Sequence, residues 1–507
     1  MKLFKNSYIT AIVAFALLLC SFATMVAAKN VAPTKNIFAE RPLIHVLGPS
    51  PAIVPSADKS AVDSFILESC DVLKDTDGTW YWYYHAESKD KDRWPEGYRI
   101  CVATSKNPLG PWEKYEHNPV LEHGKEGEWD HDVVACACLM KEGAYNIHSH
   151  NATYYMWYWS DGAIGLATAD NPLGSWKKYE NNPVMDWGDE PGVYPGSVTK
   201  IGNMFYMFVQ SPVSLQDQGP FCIATAYKPE GPWTRYEDLY KRRNKKGYAA
   251  PKPKGPWTKH EINPVMTPGD WGAWDDGGYS EAAAKYHEGI FHCVYGGTKA
   301  PKIESLGYAW SFDGISWHKY QANPVVPLSR IPDGSGFAEV HCFVEGPYIY
   351  VFHTLRYYTG EGTARGFGSY PEWETEDLAV QVLTIDPHFK VTFPILMMES
   401  LGAGKSSRIQ SCLPIGLEAA TTLAITTECT YDSGAKAGLR LHVRGSDDGV
   451  NCNTVDLYTF DIPLNAGETV NKTVEMSPSV KFARVIVKNL DGSQKVNSVN
   501  VTATVGN

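Results

Sequence analysis

One block of sequence comes back along this chain, and it constrains the fold more than any other feature. SKNPLGPWEKYEHNPVL (105–121) returns as ADNPLGSWKKYENNPVM (169–185) and, more loosely, as SFDGISWHKYQANPVV (311–326). Around 227–266 the block is split, with GPW at 231–233 and again at 255–257 and the basic loop YKRRNKKGYAAPKPK between them. A second segment, twelve residues long, accompanies the first: DSFILESCDVLK (63–74), DHDVVACACLMK (130–141), DEPGVYPGSVTK (189–200), DDGGYSEAAAKY (275–286) and DGSGFAEVHCFV (333–344). Each is soon followed by a turn and an aromatic run, such as GTWYWYYHA or GIFHCVYGGT, and four units continue with ICVATS, IGLATA, FCIATA or LGYAWS. Self-similarity at a fixed period means one supersecondary unit used several times.

Short aromatic and β-branched runs between Gly, Pro, Asn and Asp turns read as strands. They are apolar on both sides, which suits strands buried between stacked sheets. Five units of roughly 60 residues with three or four strands each predict an all-β chain, a five-bladed β-propeller. A row of β-sandwiches is the competing arrangement. Residues 30–60, or the segment after 378, would supply the strand that closes the ring. From about 396 the repeat stops and polar and apolar residues alternate in LRLHVRGSDDGV, ARVIVKNL and VNSVNVTATV, which predicts a β-sandwich. That domain is read as a buttress rather than a glycan-binding module, since it offers no planar row of exposed aromatics. The organisation expected is a signal peptide over 1–28, a propeller over 29–395 and a β-sandwich over 396–507.

The leader carries Lys2 and Lys5, then an apolar stretch, then the small residues Val26-Ala27-Ala28, the pattern of a secretory signal. Export to a secreted or periplasmic location follows, with no membrane association after cleavage. The net charge of −11 comes without a basic stripe, which argues against nucleic acid as a partner. Most cysteines fall inside apolar runs and read as small hydrophobes; Cys429 and Cys452 are the expected disulfide. The oligomeric state is not specified by these features.

Aligning the twelve-residue segments sorts architecture from function. The first position is Asp in all five units (Asp63, Asp130, Asp189, Asp275, Asp333), and a residue needed once per unit is architectural. The seventh position holds Ser69, Cys136, Pro195, Glu281 and Glu339, and the ninth holds Asp71, Cys138, Ser197, Ala283 and His341. Two units thus place a carboxylate where the others place small residues. Buried carboxylates are costly unless they pair, bind metal or do chemistry. Glu68 and Asp132 lie near the same register. Such acids at a channel mouth would have their pKa values split, one staying protonated and another ionised, as glycosidic bond cleavage requires. The ends of the second strands should return to this face with His85, Trp159, Gln210, Tyr295, His353 and Arg356, aromatic faces and polar groups suited to a sugar. For Trp159 and Tyr295 a place in the core is equally open.

At these residues, and over roughly 60–395, the chain resembles the five-bladed propeller glycoside hydrolases, the family 43 type and its family 117 relatives. YSEAAAKYHEGIFHCVYGGT and AEVHCFVEGPYIYVFHT carry the resemblance. It implies an inverting hydrolase with an acidic base, a pKa-tuning acid and a Glu general acid near the starts of inner strands. On that pattern Glu281 is the acid, Asp71 or else Glu68 the base, with Glu339 and Asp132 tuning or binding. Asp71 and Asp132 stand off the register of the family's acids, and Pro195 occupies the place where the family usually carries its Glu. The resemblance also implies that His341 faces a central metal or its water, with Ca2+ as the candidate ion. The function expected is hydrolysis of plant or algal oligo- or polysaccharides, probing chain ends. The competing readings are a non-catalytic glycan-binding propeller and a propeller phosphorylase or lyase, and Arg356 leaves an acidic or sulfated sugar open.

Overall fold

The computed structural model describes residues 35–142, 152–186, 194–210, 221–235, 265–270, 272–276, 279–299, 302–327, 335–358, 373–447, 451–477 and 479–507. The leader expected over 1–28 lies outside the described residues.

The described chain is almost entirely antiparallel β. Unit one is a sheet of Ile66–Lys74, Trp80–Glu87, Arg99–Ser105 and Glu113–Lys114 in sequence order. Units two and three repeat this order from the inner strands Ala135–Glu142 and Tyr194–Ile201. Units four and five, starting at Tyr279–His287 and Ser335–Glu345, are joined into one sheet through the single pair Ile303 and Phe337. The five inner strands neighbour one another in cyclic order, unit five returning to unit one, so the arrangement is propeller-like. The outer strand of unit five comes from far away in sequence: Ile44–Ile53 pairs antiparallel with Trp373–Thr384.

The repeated sequence block now has a physical account. In WEKY, WKKY and WHKY the lysine reaches back to the first-position aspartate of its own unit: Lys114 to Asp63 at 2.6 Å, Lys178 to Asp130 at 2.7 Å, Lys319 to Asp275 at 2.6 Å. Tyr84 and Tyr158 donate their hydroxyls to Asp63 and Asp130 at 3.0 and 2.9 Å. The asparagine of NPV imitates a strand partner. Asn118, Asn182 and Asn323 each accept from a third-strand N–H, of Val102, Leu166 and Tyr308, at 2.8–2.9 Å. Each also donates to the same residue's carbonyl at 2.9–3.0 Å. The third-strand N–H, which would otherwise be orphaned at the sheet edge, is thereby satisfied, while the carbonyl also accepts the N–H of Tyr115, Tyr179 or Tyr320 at 2.8–3.0 Å.

Glycine in IGLATA and LGYAWS makes room for a stacked aromatic pair. A Cβ at Gly165 would meet Tyr158 at 2.5 Å and Trp129 at 2.7 Å, and one at Gly307 would meet Trp274 at 2.6 Å and Tyr295 at 2.7 Å.

The second set of sheets begins earlier than the sequence pattern indicated. Lys390–Met398 pairs with Val496–Gly506, so the break falls after Thr384 rather than at 396. Two four-stranded sheets follow, one containing Thr422–Tyr431 and one containing Leu439–Ser446. Their apolar faces share one cluster with unit one and the closing strand, from Leu67, Trp80 and Trp82 through Val46 and Ile53 to Ile415, Val485 and Val501. Cys429 and Cys452 are not joined, and no disulfide links the described cysteines. Cys429 is buried in the first sheet, whereas Cys452 bridges to Ser446 at the end of the second.

Asn182→Ala is expected to destabilise the protein by about 1–3 kcal/mol, since it strands the buried Leu166 N–H, while the Leu166 carbonyl keeps the Tyr179 N–H at 2.8 Å. Asn181→Ala, at the exposed neighbouring residue, is the control and should shift the thermal midpoint little. Equal midpoints for the two variants in calorimetry would contradict this role for the NPV asparagine.

Candidate active site

Every inner strand carries one extra residue at the same place. Pairing slips between Ser69 and Val72, Ala135 and Cys138, Pro195 and Ser197, Ser280 and Ala283, and Ala338 and His341. In each case the partner strand advances one residue fewer, which defines a β-bulge. Bulges re-aim side chains and gather next to sites. These fall at the seventh to ninth positions, where the sequence places unlike residues on like strands. Cys136 and Glu339 adopt left-handed backbone there, with φ of 48° and 43°. For non-glycine residues that conformation costs roughly 1–3 kcal/mol and persists only where the surroundings impose it.

The bulges open onto one cavity of about 330 Å³, its open mouth included, lined by Ser69, Cys136, Tyr194, Pro195, Gly196, Glu339 and His341. Four of the five seventh-position residues are therefore in one wall. The fifth, Glu281, lies on the backbone of the same bulge in unit four, but its side chain is outside the described residues, as is that of Gln210. Trp159 stacks behind the cavity on Tyr194, ring centroids 5.1 Å apart at 28°.

Glu339 is held by a buried charge cluster. Arg356 Nη2 lies 2.9 Å from Glu339 Oε1 and 2.6 Å from Glu68 Oε1, and its Nε donates to Glu376 Oε1 at 2.5 Å. His85 Nε2 hydrogen-bonds Glu68 Oε2, its ring stands edge-on to Tyr98 at 4.5 Å, and its Nδ1 is 3.4 Å from Cys70 Sγ. The cluster separates two carboxyls. Burial would raise Glu68, but the charges of Arg356 and His85 outweigh it and hold Glu68 down to about 2. Burial and the Glu68 charge push Glu376 up to about 8, against the pull of Arg356. Burial opposes protonation of His85, yet Cys70 and Glu68 keep its proton and raise it to about 10. At neutral pH the cluster thus holds an ionised Glu68, a protonated Glu376 and two cations.

Several expectations need correction. Asp71 does not open into the cavity. It is fully buried and saturated: Lys285 Nζ is 2.5 Å from Oδ1, Val72 N–H donates to Oδ1 at 2.7 Å, and Leu139 N–H to Oδ2 at 2.9 Å. Asp132 is exposed and stands beside His131 at 3.1 Å, away from the cavity wall. Of the two places left open for Tyr295 it takes the core, fully buried and stacked on Trp274. His353 is also core, its Nε2 3.1 Å from Gln381 Nε2, and burial lowers it to about 4. Arg356 is turned onto three glutamates rather than towards an acidic sugar. Sequence reasoning missed Tyr98, Glu376, Lys285 and Tyr194.

A calcium ion at the centre finds no suitable donors among the described residues. Ca2+ takes six to eight oxygens. The central carboxylate, Asp71, is already occupied by an ammonium and two amides, and His341 supplies nitrogen. No group of three or more metal-ligating side chains gathers among the described residues.

No family model and no curated protein sequence matches the chain. Among solved structures it is similar to a family 117 glycoside hydrolase of the marine bacterium Zobellia galactanivorans, at TM-score 0.44 and 12% identity over 68% of this chain and 91% of that one. It is also similar to an exo-β-1,3-galactanase of Phanerochaete chrysosporium, at TM-score 0.38 and 11% identity over 90% and 99%. A GH32 β-fructofuranosidase of Bombyx mori gives TM-score 0.40 and 10% identity over 89% and 93%. Likeness this distant does not carry an activity over, and the functional reading rests on the residues of the site.

The charge cluster sets a pH dependence. Glu376 binds its proton more tightly folded than at its ordinary 4.5, so its contribution to stability is full below that value and is lost as pH rises towards 8. His85 adds a loss as pH rises from 6.5 towards 10. Glu68 works the other way, its contribution falling as pH drops from 4.5 towards 2. Glu376→Gln should therefore lose less thermal stability than wild type between about pH 5 and about pH 8. An equally steep fall in the variant would contradict a protonated Glu376.

Proposed function

We propose that this chain is an exported glycoside hydrolase, a five-bladed β-propeller with a C-terminal β-sandwich that cleaves oligosaccharides of plant or algal origin at chain ends. The observation that carries the reading is the shared cavity. Register-equivalent residues of four units wall it, and Glu339 reaches it from a left-handed bulge with Arg356 at its back. Glu281 holds the same register place on the neighbouring unit, so two carboxylates belong to one ring of positions.

Glycosidic cleavage needs one carboxyl to protonate the leaving oxygen and another to activate water or attack carbon. Glu281 takes the acid role. Glu339, fixed against a guanidinium, takes the role of base in place of the saturated Asp71. Tyr194, backed by Trp159, offers an aromatic face for the sugar's CH surface. A phosphorylase would need a basic anion site beside the acid. Arg356, Lys285 and His85 are each turned onto carboxylates, which favours water over phosphate as the acceptor.

The test is a panel of neutral and acidic oligosaccharides, with released sugars measured for wild type and single variants. Glu339→Gln and Glu281→Gln should each lower the rate at least about 10²-fold, the scale of general acid–base catalysis. Asp132→Asn should keep wild-type activity. Full activity in Glu339→Gln would overturn its role, and binding without cleavage by wild type would favour the non-catalytic glycan-binding reading.

A further inference from the structure

The centre of the ring, deeper than the cavity, holds an arrangement that the catalytic reading does not use. Asp71 belongs to unit one and Lys285 to unit four, two units that are not neighbours in the ring. Lys285 stands at the eleventh position of its segment, four residues beyond the place that walls the cavity, and its side chain comes back to Asp71. The carboxylate is fully buried and the lysine side chain is 18% exposed, so the pair is shielded from bulk water. Unit two adds the Leu139 N–H, and unit three joins through Ser197 Oγ, which accepts the Ala284 N–H beside Lys285 at 2.9 Å. Unit five contributes His341, whose Nδ1 is buried without a hydrogen-bond partner and which borders both this centre and the cavity. Burial and the Lys285 charge keep His341 neutral, lowered to about 4 against the pull of Asp71.

We propose that the Lys285 ammonium is the resident cation of this ring: it bridges units one and four in place of a metal ion and closes the channel behind the cavity. An ammonium and a divalent metal answer the same need, a positive charge for a buried carboxylate. They differ in how many ligands they require. Ca2+ would demand several more oxygens than the ninth positions supply, since these are Cys138, Ser197, Ala283 and His341 beside Asp71. A tethered cation needs only its own carboxylate. It also fills the channel with its methylene stem, which makes the cavity a blind end able to take a chain terminus but not a passing chain.

The experiment uses the purified mature protein. Metal content is measured by mass spectrometry, and the thermal midpoint is followed with EDTA and with added CaCl2. Wild type is expected to carry no stoichiometric metal and to keep its midpoint in both. Lys285→Met should lower the midpoint by roughly 5 °C, because it leaves Asp71 buried and unpaired. Lys285→Ala should lose stability likewise, and added Ca2+ should not restore its midpoint, because Asp71 and Ser197 do not supply the oxygens the ion requires. If the single variants do not fold, Asp71→Asn/Lys285→Met, which removes both charges, should restore a folded protein. About one equivalent of metal per wild-type chain, a midpoint lowered by EDTA, or a Lys285→Met midpoint equal to wild type would each overturn the proposal.

Discussion

One extra residue per inner strand is the constraint on which the site depends. A regular strand would send its residues alternately to the two faces of the unit, and five regular strands would give five equivalent walls. The bulge breaks that alternation at one height in all five units. It turns Ser69, Cys136, Pro195 and Glu339 onto one cavity. The scaffold thereby presents five addresses in one register, and the chain fills them with unlike chemistry: a hydroxyl, a thiol, a proline and two carboxylates.

Placing carboxylates there requires charge control, and the structure supplies it at two depths. Nearer the cavity, Arg356 is shared by Glu68, Glu339 and Glu376, with His85 as a second cation. Two carboxyls in contact with one guanidinium are driven apart, one ionised and one protonated, because both cannot carry charge in so dry a place. Deeper in the ring, Asp71 is neutralised by Lys285. These pairs are buried, so breaking one partner is costly even where the intact pair adds little net stability. At the outer edges of units one, two and four, one asparagine and one lysine tie the strand ends together.

Much of this was legible in the sequence. The repeat gave the units, and the alignment of DSFILESCDVLK with its four counterparts gave the register that the cavity wall follows. What it could not give was the effect of the bulge on parity. Counting by twos put Asp71 on the same face as Ser69, whereas the inserted residue sends Asp71 inward to Lys285 and Leu139. His353 was misplaced, and Tyr295 left open between core and site, for a related reason: aromatic and imidazole side chains on second strands serve the core and the site equally well by composition. Glu376 was missed because it enters from the third strand of unit five, outside the repeated segments, as the cross-strand partner of Arg356. The Cys429–Cys452 expectation failed because spacing says nothing about which sheet each thiol occupies.

The central claim is that the bulged carboxylates of units four and five face one sugar. A crystal structure of the protein with a bound saccharide measures this directly. The account predicts a sugar ring against Tyr194, with the Glu281 and Glu339 carboxyls on either side of its terminal linkage. Their separation should be about 6.5–9.5 Å for an inverting enzyme or about 5–5.5 Å for a retaining one. A sugar bound elsewhere, or carboxyls more than about 12 Å apart across it, would contradict the account.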